Sequence, residues 1–250
     1  SDRGQSRRMI VVVPARGGSK GLPGKNLRPF AGEPLIVHTL RAALQADSVE
    51  RVVVTTDDDE IIRVCHAVPG VEVPFRRPQH LATDDASAVD AYLHVADALG
   101  ILEGTPPRDI CVLLPTAPLR LPQDIDAAIA LYRAERAEVV FSVTETKPLA
   151  WYQYMDPNGK LVPAMGTGAG IGNRQEFRTA WVPNGSIYVL DVETLRRTRT
   201  YFGPESYGYP MPPERSVDID TEADFVAAEA LYHLARQISD DSNSLLRRAV

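Results

Sequence analysis

Residues 9–26 read MIVVVPARGGSKGLPGKN, an apolar run followed at once by a loop rich in glycine and basic residues. The run at 9–13 is typical of a parallel strand that is buried on both faces, which places the loop at the carboxyl end of that strand. Open α/β sheets bind their ligands at this end. The segment therefore predicts an α/β protein whose first loop contacts a ligand.

The chain on either side of this segment has the same organisation. As far as residue 145, short β-branched runs alternate with stretches of helical period. We predict strands at 51–56, 71–75, 110–114 and 137–144, and helices at 34–46, 58–67, 87–99 and 122–133. A strand at 180–190, interrupted by Asn184-Gly185, precedes helices at 191–197 and 221–236. This alternation predicts a doubly wound, mostly parallel sheet with right-handed crossovers.

The chain changes character after Thr146. Residues 147–178, called the excursion below, contain five glycines and no clean period, which indicates a small subdomain and not a core element. We expect a frayed tail at 1–8, a single domain at 9–236 and a mobile polar tail at 237–250.

Composition excludes several classes of function. A formal net charge of −6 argues against nucleic acid as a partner. No apolar run approaches the roughly 20 residues that cross a bilayer, and the apolar run after residues 1–8 is too short for the h-region of a secretory signal. Two cysteines, Cys65 and Cys111, are too few for a disulfide framework and lack the spacing of zinc ligands. We therefore expect a cytoplasmic protein without membrane attachment.

The glycine-rich loop has the chemistry of a triphosphate site. Four glycines allow the backbone to turn its N–H groups toward an anion, and Arg16, Lys20 and Lys25 add positive charge. The loop is not a Walker A motif, because Asn26 follows Lys25 where that motif has Ser or Thr, and it lacks the G-x-G-x-x-G of dinucleotide enzymes. A flexible basic surface loop is the alternative interpretation.

A pair of carboxylates near the other end of the chain suits a metal ion. Asp218 and Asp220 are two residues apart, so in an extended chain they project from the same side. Two carboxylates beside phosphate and water match the preference of Mg²⁺, which would neutralise charge on a departing pyrophosphate. The alternative is a helix start in which Asp220 and Glu222 favour the dipole of the following helix. For that helix we predict Thr221 as N-cap and Asp224 at N3.

Three further groups have two interpretations each. Asp57 is a better site candidate than Asp58 or Asp59, which also fit the start of a helix. An arginine of Arg76-Arg77 and a hydroxyl of residues 83–87 could contact a base or a ribose, or belong to a solvated turn and a helix cap. By composition alone, Asn184-Gly185 favours a tight turn.

Taken together, four blocks resemble the CMP-sialic acid synthetase family, the acylneuraminate cytidylyltransferases. They are PARGGSKGLPGKN in the first loop, Arg77-Pro78 followed by ATDDAS, LLPTAPLR at 113–120, and VPNGSIYVLD at 182–191 followed by SVDIDTEAD at 216–224. The resemblance runs from about residue 9 to about residue 236. It implies a Rossmann-like nucleotidyltransferase fold, transfer of CMP from CTP to a small acidic acceptor, and a homodimer.

The resemblance also implies roles for individual residues. Catalytic positions would be Arg16, Lys20, Lys25 and Asp220, and Mg²⁺ would be held by Asp218 and Asp220. The nucleotide would contact Ala15, Arg16, Gly17, Ser19, Lys25, Asn26, Arg77 and Ser87. The acceptor would contact Leu114, Arg174, Asn184, Tyr201 and Phe202, the aromatic pair reaching it from the other subunit. Acceptor binding and dimerisation would both fall within about 147–215.

Two departures from the family pattern leave the acceptor open. Leu114 stands where sialic acid members usually have Gln, and Lys147-Pro148-Leu149 replaces their HP pair with its following lysine. The alternatives to N-acetylneuraminate are a sugar of the pseudaminic or legionaminic type and a phosphonate. A nucleotidyltransferase for sugar 1-phosphates and a nucleotide-binding regulatory module without turnover are the competing functions.

Overall fold

The centre of the molecule is a sheet of seven strands. The computed structural model describes residues 8–18, 21–103, 109–164 and 177–248, with only the backbone from 239 onward. The strands are β1 (Met9–Pro14), β4 (Val49–Thr55), β5 (Val71–Glu72), β6 (Ile110–Leu113), β7 (Val139–Thr146), β10 (Ala180–Leu190) and β11 (Ser206–Pro210), in the order β11-β7-β10-β6-β1-β4-β5. Only β10 runs antiparallel to its neighbours. The predicted mostly parallel sheet is confirmed.

Helices cover both faces of the sheet. They are α1 (Leu35–Gln45), α2 (Asp59–His66), α3 (Ala88–Ala98), α4 (Pro122–Glu135), α5 (Val192–Thr198) and α6 (Glu222–Arg248). On β1, Val11 and Val13 face the core shared with α1, α2 and α4, whereas Ile10 and Val12 face the core shared with α3 and α5. Because successive strand residues point to opposite faces, a continuous apolar run buries both sides of this strand.

A third core connects the two ends of the chain. A short ribbon of β2 (Pro29–Phe30) and β3 (Glu33–Pro34) follows the first loop and packs on α6. Phe30 is fully buried there, with its ring 5.6 Å from the ring of Phe225 and 5.0 Å from that of His38. The predicted capping box of α6 is confirmed, since Asp224 Oδ2 accepts from Thr221 N at 2.8 Å and Thr221 Oγ1 accepts from Asp224 N at 3.2 Å. This packing fixes the start of α6 beside the first loop.

Three elements differ from the sequence-based expectation. Helix α6 continues to Arg248, past the end predicted at 236, because residues 222–248 contain neither Gly nor Pro to stop it. Strand β11 was missed, since SYGYP carries a glycine and a proline, which only an edge strand tolerates well. Within the excursion, β8 (Gln153–Met155) and β9 (Leu161–Pro163) pair as a hairpin. Its remainder, 165–176, lies outside the described residues.

No helix in the described part of the chain is both long and apolar enough to cross a bilayer.

Candidate functional site

The first loop and the C-terminal carboxylates meet at the carboxyl edge of the sheet. Lys25 Nζ donates to Ile219 O at 2.8 Å and to Asp220 Oδ1 at 3.1 Å, across 195 residues of sequence. Gly21 lies so close to this segment that a Cβ on it would be 2.6 Å from Asp220 O. The expectation that these two distant segments converge is therefore confirmed by the geometry.

Asp218 occupies a tight, half-buried place beside Gly185 in β10. A Cβ on Gly185, whose φ is +72°, would lie 2.6 Å from Asp218 Oδ2. Asp218 Oδ1 is buried and has no hydrogen-bond partner among the described residues. Burial raises the pKa of Asp218, and the neighbouring Asp220 raises it further, against a hydrogen bond from Thr116 and the charges of Lys25 and Arg120. A buried carboxylate oxygen left without a partner is costly, so the site favours a cation.

The donor set at this point suits a hard divalent cation. Asp218 and Asp220 offer carboxylate oxygens, and the side chain of Asp220 is 74% exposed. The described residues contain no group of three or more His, Cys, Asp or Glu that could enclose a metal ion. Mg²⁺ is commonly held by one or two carboxylates plus phosphate and water, so these two residues fit that ion.

The first loop is held in place by acids and amides. Gly17 N donates to Asp57 Oδ1 at 3.0 Å, and Asn26 Nδ2 donates to Arg16 O at 3.2 Å. Arg16 Nη1 lies 2.8 Å from Asp84 Oδ1. Asn26 Oδ1 is a second buried oxygen that has no partner within the described residues. The loop therefore has an internal scaffold of its own, and Asp57 belongs to it.

Two of the loop positions named from the sequence, Ser19 and Lys20, lie outside the described residues. Ala15 is buried, and its N–H donates to Thr55 O at 3.0 Å. Asp58 takes the helix-cap role considered for it, because its Oδ1 accepts from Glu60 N and Ile61 N at 2.8 and 2.9 Å. Asp58 Oδ2 would lie 2.5 Å from a Cβ on Gly17, so a glycine is needed at that position.

Arg77 is packed inside the protein and not extended into the site. It is 6% exposed, and its Nε and Nη2 donate to Thr55 Oγ1 and O at 3.2 and 2.6 Å. Burial lowers its pKa, although the charge of Asp57 opposes the shift. Ser87 precedes α3 as its N-cap, yet its exposed hydroxyl makes no capping hydrogen bond. The Ser87 hydroxyl is therefore not used by the helix.

Asn184 lies where β10 shifts its register against β7. It is 5% exposed; its Oδ1 accepts from Ser142 Oγ at 2.6 Å and from Ser186 N at 3.2 Å, and its Nδ2 donates to Ser216 Oγ at 2.8 Å. The tight-turn interpretation is wrong for the backbone, because β10 continues through Asn184 and Gly185, and the positive φ of Gly185 belongs to the register shift between Pro183 and Tyr188. The amide also ties β10 to the segment that leads into Asp218.

Of the other acceptor positions named from the sequence, Leu114, Tyr201 and Phe202 lie among the described residues. Leu114 is half-buried, and Arg174 lies outside the described residues. Tyr201 and Phe202 pack on Phe141 at ring distances of 6.2 and 5.0 Å, and Phe202 is 63% exposed. Near the excursion, a cavity of about 390 Å³ is lined by Glu145, Thr146, Pro148, Phe177, Arg178, Thr179 and Ala180.

Sequence reasoning missed Arg120. This arginine is 3% exposed and donates from Nε to Ser186 Oγ at 3.0 Å, from Nη1 to Thr39 Oγ1 at 2.7 Å, and from Nη2 to the carbonyl of Leu114. Burial lowers its pKa to about 10. An arginine between Leu119 and Leu121, just after a core strand, was the available signal. It connects the loop after β6 to β10.

Comparison with known proteins gives consistent results. The sequence model of a family described as "Cytidylyltransferase" matches residues 10–154. An N-acylneuraminate cytidylyltransferase of Streptococcus agalactiae is 32% identical over 220 residues, which are 87% of this chain and 51% of that protein. The chain thus spans about half the length of such relatives. A CMP-N,N'-diacetyllegionaminic acid synthase of Legionella pneumophila is 32% identical over 238 residues, 92% of this chain and 98% of that one.

A solved structure shares the fold. A CMP:2-keto-3-deoxy-manno-octonic acid synthetase complexed with CTP superposes with a TM-score of 0.66 at 18% identity, covering 91% of this chain and 99% of the other. At this identity the likeness extends to the fold alone, which agrees with the sheet described above.

Proposed function

Since the chain belongs to the cytidylyltransferase family, we propose that it transfers CMP from CTP to a sialic-acid-like nonulosonic acid and releases pyrophosphate. The observation that carries this proposal is the contact of Lys25 with Ile219 O and Asp220, which places the cationic loop beside the two carboxylates. The relatives named above support the acceptor class. Some of these relatives are about twice as long as this chain, so their acceptor is proposed for this chain and not assigned to it.

The reaction would be an in-line displacement at phosphorus. An acceptor hydroxyl oxygen attacks the α-phosphorus and loses its proton to water, the new O–P bond forms, and the bond to the β-phosphate oxygen breaks as pyrophosphate leaves. Backbone N–H groups of the glycine-rich loop, together with Arg16 and Lys25, would hold the triphosphate and stabilise charge on its oxygens. The chain's contribution is positioning and charge, which are the main sources of catalysis in phosphoryl transfer.

We propose that Mg²⁺ binds at Asp218 and Asp220. The support is the buried Oδ1 of Asp218, which has no hydrogen-bond partner among the described residues, and the raised pKa of Asp218, whose largest cause is burial. When bound, the cation would neutralise triphosphate charge. Lys25, which already contacts Asp220, would keep that carboxylate oriented.

We also propose a homodimer that joins through the excursion. The hairpin and the start of β10 carry a set of exposed apolar side chains: Leu149, Trp151, Tyr152, Tyr154, Met155, Leu161, Val162, Trp181 and Val182. Tyr154 and Met155 are 68% and 72% exposed. Exposed apolar side chains concentrated in one part of a globular protein are typical of an interaction site. A second copy is the occupant that the resemblance implies, because one subunit would then complete the acceptor site of the other.

A cytoplasmic location is our proposal as well. Cys65 and Cys111 are both buried and unpaired, and burial raises the pKa of each thiol to about 12. Two buried, unreactive thiols fit a reducing compartment.

The decisive experiment is a pyrophosphate-release screen. Each nucleoside triphosphate is tested with Mg²⁺ against N-acetylneuraminic, legionaminic and pseudaminic acids, a 3-deoxy-octulosonic acid, a phosphonate and a sugar 1-phosphate. We expect release with CTP only and with a nonulosonic acid. Turnover with the phosphonate or the sugar 1-phosphate, or CTP binding without any turnover, would replace the proposal with one of its competitors.

The dimer has a separate test. Tyr154→Lys with Met155→Lys should give a monomer by analytical ultracentrifugation, with the KM for the acceptor raised and the affinity for CTP unchanged. As a control, Leu234→Lys places a charge on a side chain of α6 that is 52% exposed, outside the excursion. A double variant that stays dimeric would move the interface elsewhere.

A further inference from the structure

The segment that carries the two carboxylates is anchored to α4 by an ion pair. Arg215 donates from Nε to Asp124 Oδ2 at 3.1 Å and from Nη2 to Asp124 Oδ1 at 2.7 Å. Asp124 is 2% exposed and also accepts from Tyr209 OH at 3.0 Å and from Leu121 N at 2.8 Å. Paired, two-pronged bonds between arginine and carboxylate are both strong and geometrically specific.

Capping alone does not account for this arrangement. Asp124 is at N3 of α4, and its bond to the N–H of Leu121 would satisfy the start of the helix by itself. An acid that only caps a helix is normally exposed, where its charge keeps its hydration. Here the carboxylate is buried and Arg215 compensates its charge, so loss of Arg215 would leave a buried charge without its partner.

Arg215 leads directly into the candidate metal segment. It ends a short helical turn, and the next residue, Ser216, accepts a hydrogen bond on its Oγ from Asn184 Nδ2 at 2.8 Å. Three residues further on, Ile219 N donates to Thr116 O at 2.8 Å. Asp218 therefore lies between two residues held by hydrogen bonds, Ser216 and Ile219. The ion pair of Arg215 holds the backbone just before them.

The anchors share one support. Thr116 and Leu121 belong to the loop between β6 and α4, and Asp124 is in the first turn of α4. That loop also contains Arg120, which donates to Ser186 in β10. The Arg215–Asp124 pair thus connects the carboxylate segment to the first turn of α4, next to the loop that contains Thr116 and Arg120.

We propose that Arg215 is a positioning residue, which by its pairing with Asp124 sets the placement of Asp218 and Asp220 for the divalent cation. In this assignment Arg215 acts through the two carboxylates and not by contact with the nucleotide or the metal. The inference rests on the proposed function for the identity of the site, but its central measurement, metal binding, requires no turnover.

The test compares Arg215→Met with a matched variant. Arg51→Met also removes a two-pronged pair, with Glu72 at 2.9 and 2.6 Å, and Arg51 and Arg215 have nearly equal side-chain exposures of 33% and 32%. Arg51 lies in β4, at the opposite side of the sheet from β11. Mn²⁺ binding is measured by electron paramagnetic resonance with CTP present and acceptor absent, together with melting temperatures and the metal dependence of pyrophosphate release.

We expect Arg215→Met to weaken Mn²⁺ binding by about 10- to 100-fold, the usual effect of losing an outer support of a metal ligand. The metal concentration for half-maximal activity should rise in parallel, with little change in the KM for CTP at saturating metal. Arg51→Met should leave Mn²⁺ binding unchanged, and Arg215→Lys, which keeps the charge but not the paired geometry, should recover part of the loss.

Folded Arg215→Met with Mn²⁺ affinity within twofold of the parent would overturn the inference. If Arg215→Met does not fold, Asp124→Asn serves instead, because it keeps an oxygen for the Leu121 cap while removing the charge that orients Arg215. Unchanged Mn²⁺ binding in folded Asp124→Asn would overturn it equally. A parent protein that binds Mn²⁺ with CTP yet turns over no acceptor would refute the proposed function while leaving this inference standing, and a parent that binds no Mn²⁺ would refute both.

Discussion

Replacing Gly185 with alanine should cost more activity than stability. The new Cβ would lie 2.6 Å from Asp218 Oδ2, so the carboxylate would have to move by about 0.8 Å to reach ordinary van der Waals contact. The backbone on either side of Asp218 cannot move freely, because Ile219 N donates to Thr116 O and Ser216 Oγ accepts from Asn184 Nδ2. The displacement therefore passes to the carboxylate that we assign to the metal.

The two effects have different magnitudes. An alanine at a φ of +72° adopts the left-handed backbone conformation, which lowers the free energy of unfolding by about 1–2 kcal/mol. For a chain of this size, that loss lowers the melting temperature by about 2–8 °C. A misplacement approaching 1 Å in a catalytic centre costs up to about 100-fold in rate. We expect kcat for pyrophosphate release to fall by about 30- to 100-fold in a protein that is still folded.

Gly100→Ala is the matched control. Gly100 follows α3 with a φ of +66°, and a Cβ there meets nothing within 4 Å. It should pay the same conformational penalty, measured by differential scanning fluorimetry, and keep full activity. If Gly185→Ala retains more than half of the parent kcat, or if both variants lose activity in proportion to stability, the contact with Asp218 does not govern catalysis.

Three other predictions follow from charges. Burial raises the pKa of Asp218, so the ionised carboxylate destabilises the unliganded fold at any pH well above the ordinary value of 3.8. Asp218→Asn should therefore raise the melting temperature by about 1–3 °C at pH 7. This gain should disappear toward pH 4, where the carboxyl group of the parent protein becomes protonated. Burial lowers the pKa of His38, so the unfolded state takes up a proton first and stability should fall as pH drops below 6.5; His38→Gln, which keeps a donor for Phe30 O, should flatten the melting-temperature profile between pH 7 and 5. Asp84 competes with phosphate for Arg16, so Asp84→Asn should tighten CTP binding up to about fivefold by calorimetry, and weaker binding would show that Asp84 orients Arg16 instead.

The alternation of strands and helices could be predicted because each element carries its own local signal. Residues 9–13 bury both faces of β1, and the glycines that follow mark the ligand edge. The meeting of Lys25 with Asp220 was predictable only from chemistry, since a bound triphosphate needs both a cationic loop and a metal. The two segments are otherwise unrelated in sequence.

The internal supports of the site could not be predicted. Arg120 donates to Ser186, which is 66 residues away in sequence, and Arg215 donates to Asp124, which is 91 residues away. A local sequence pattern does not indicate which distant group an arginine will contact. Arg77 is a further example: its position after a strand suggested ligand contact, and no local pattern showed that its Nε and Nη2 would donate to Thr55. Buried polar networks depend on tertiary neighbours and not on sequence period.

The excursion departs from the sheet and returns to it at paired positions, with Thr146 at the end of β7 opposite Ala180 at the start of β10. Because the hydrogen-bonded strands already hold these two points together, the length and sequence of what lies between them have little influence on the entropy of closing the fold. Mutation can therefore remodel this part without disturbing the nucleotide loop or the carboxylate segment. If the excursion contacts the acceptor, as proposed, a chain built in this way can change its acceptor over evolutionary time while the first loop and the two carboxylates stay the same.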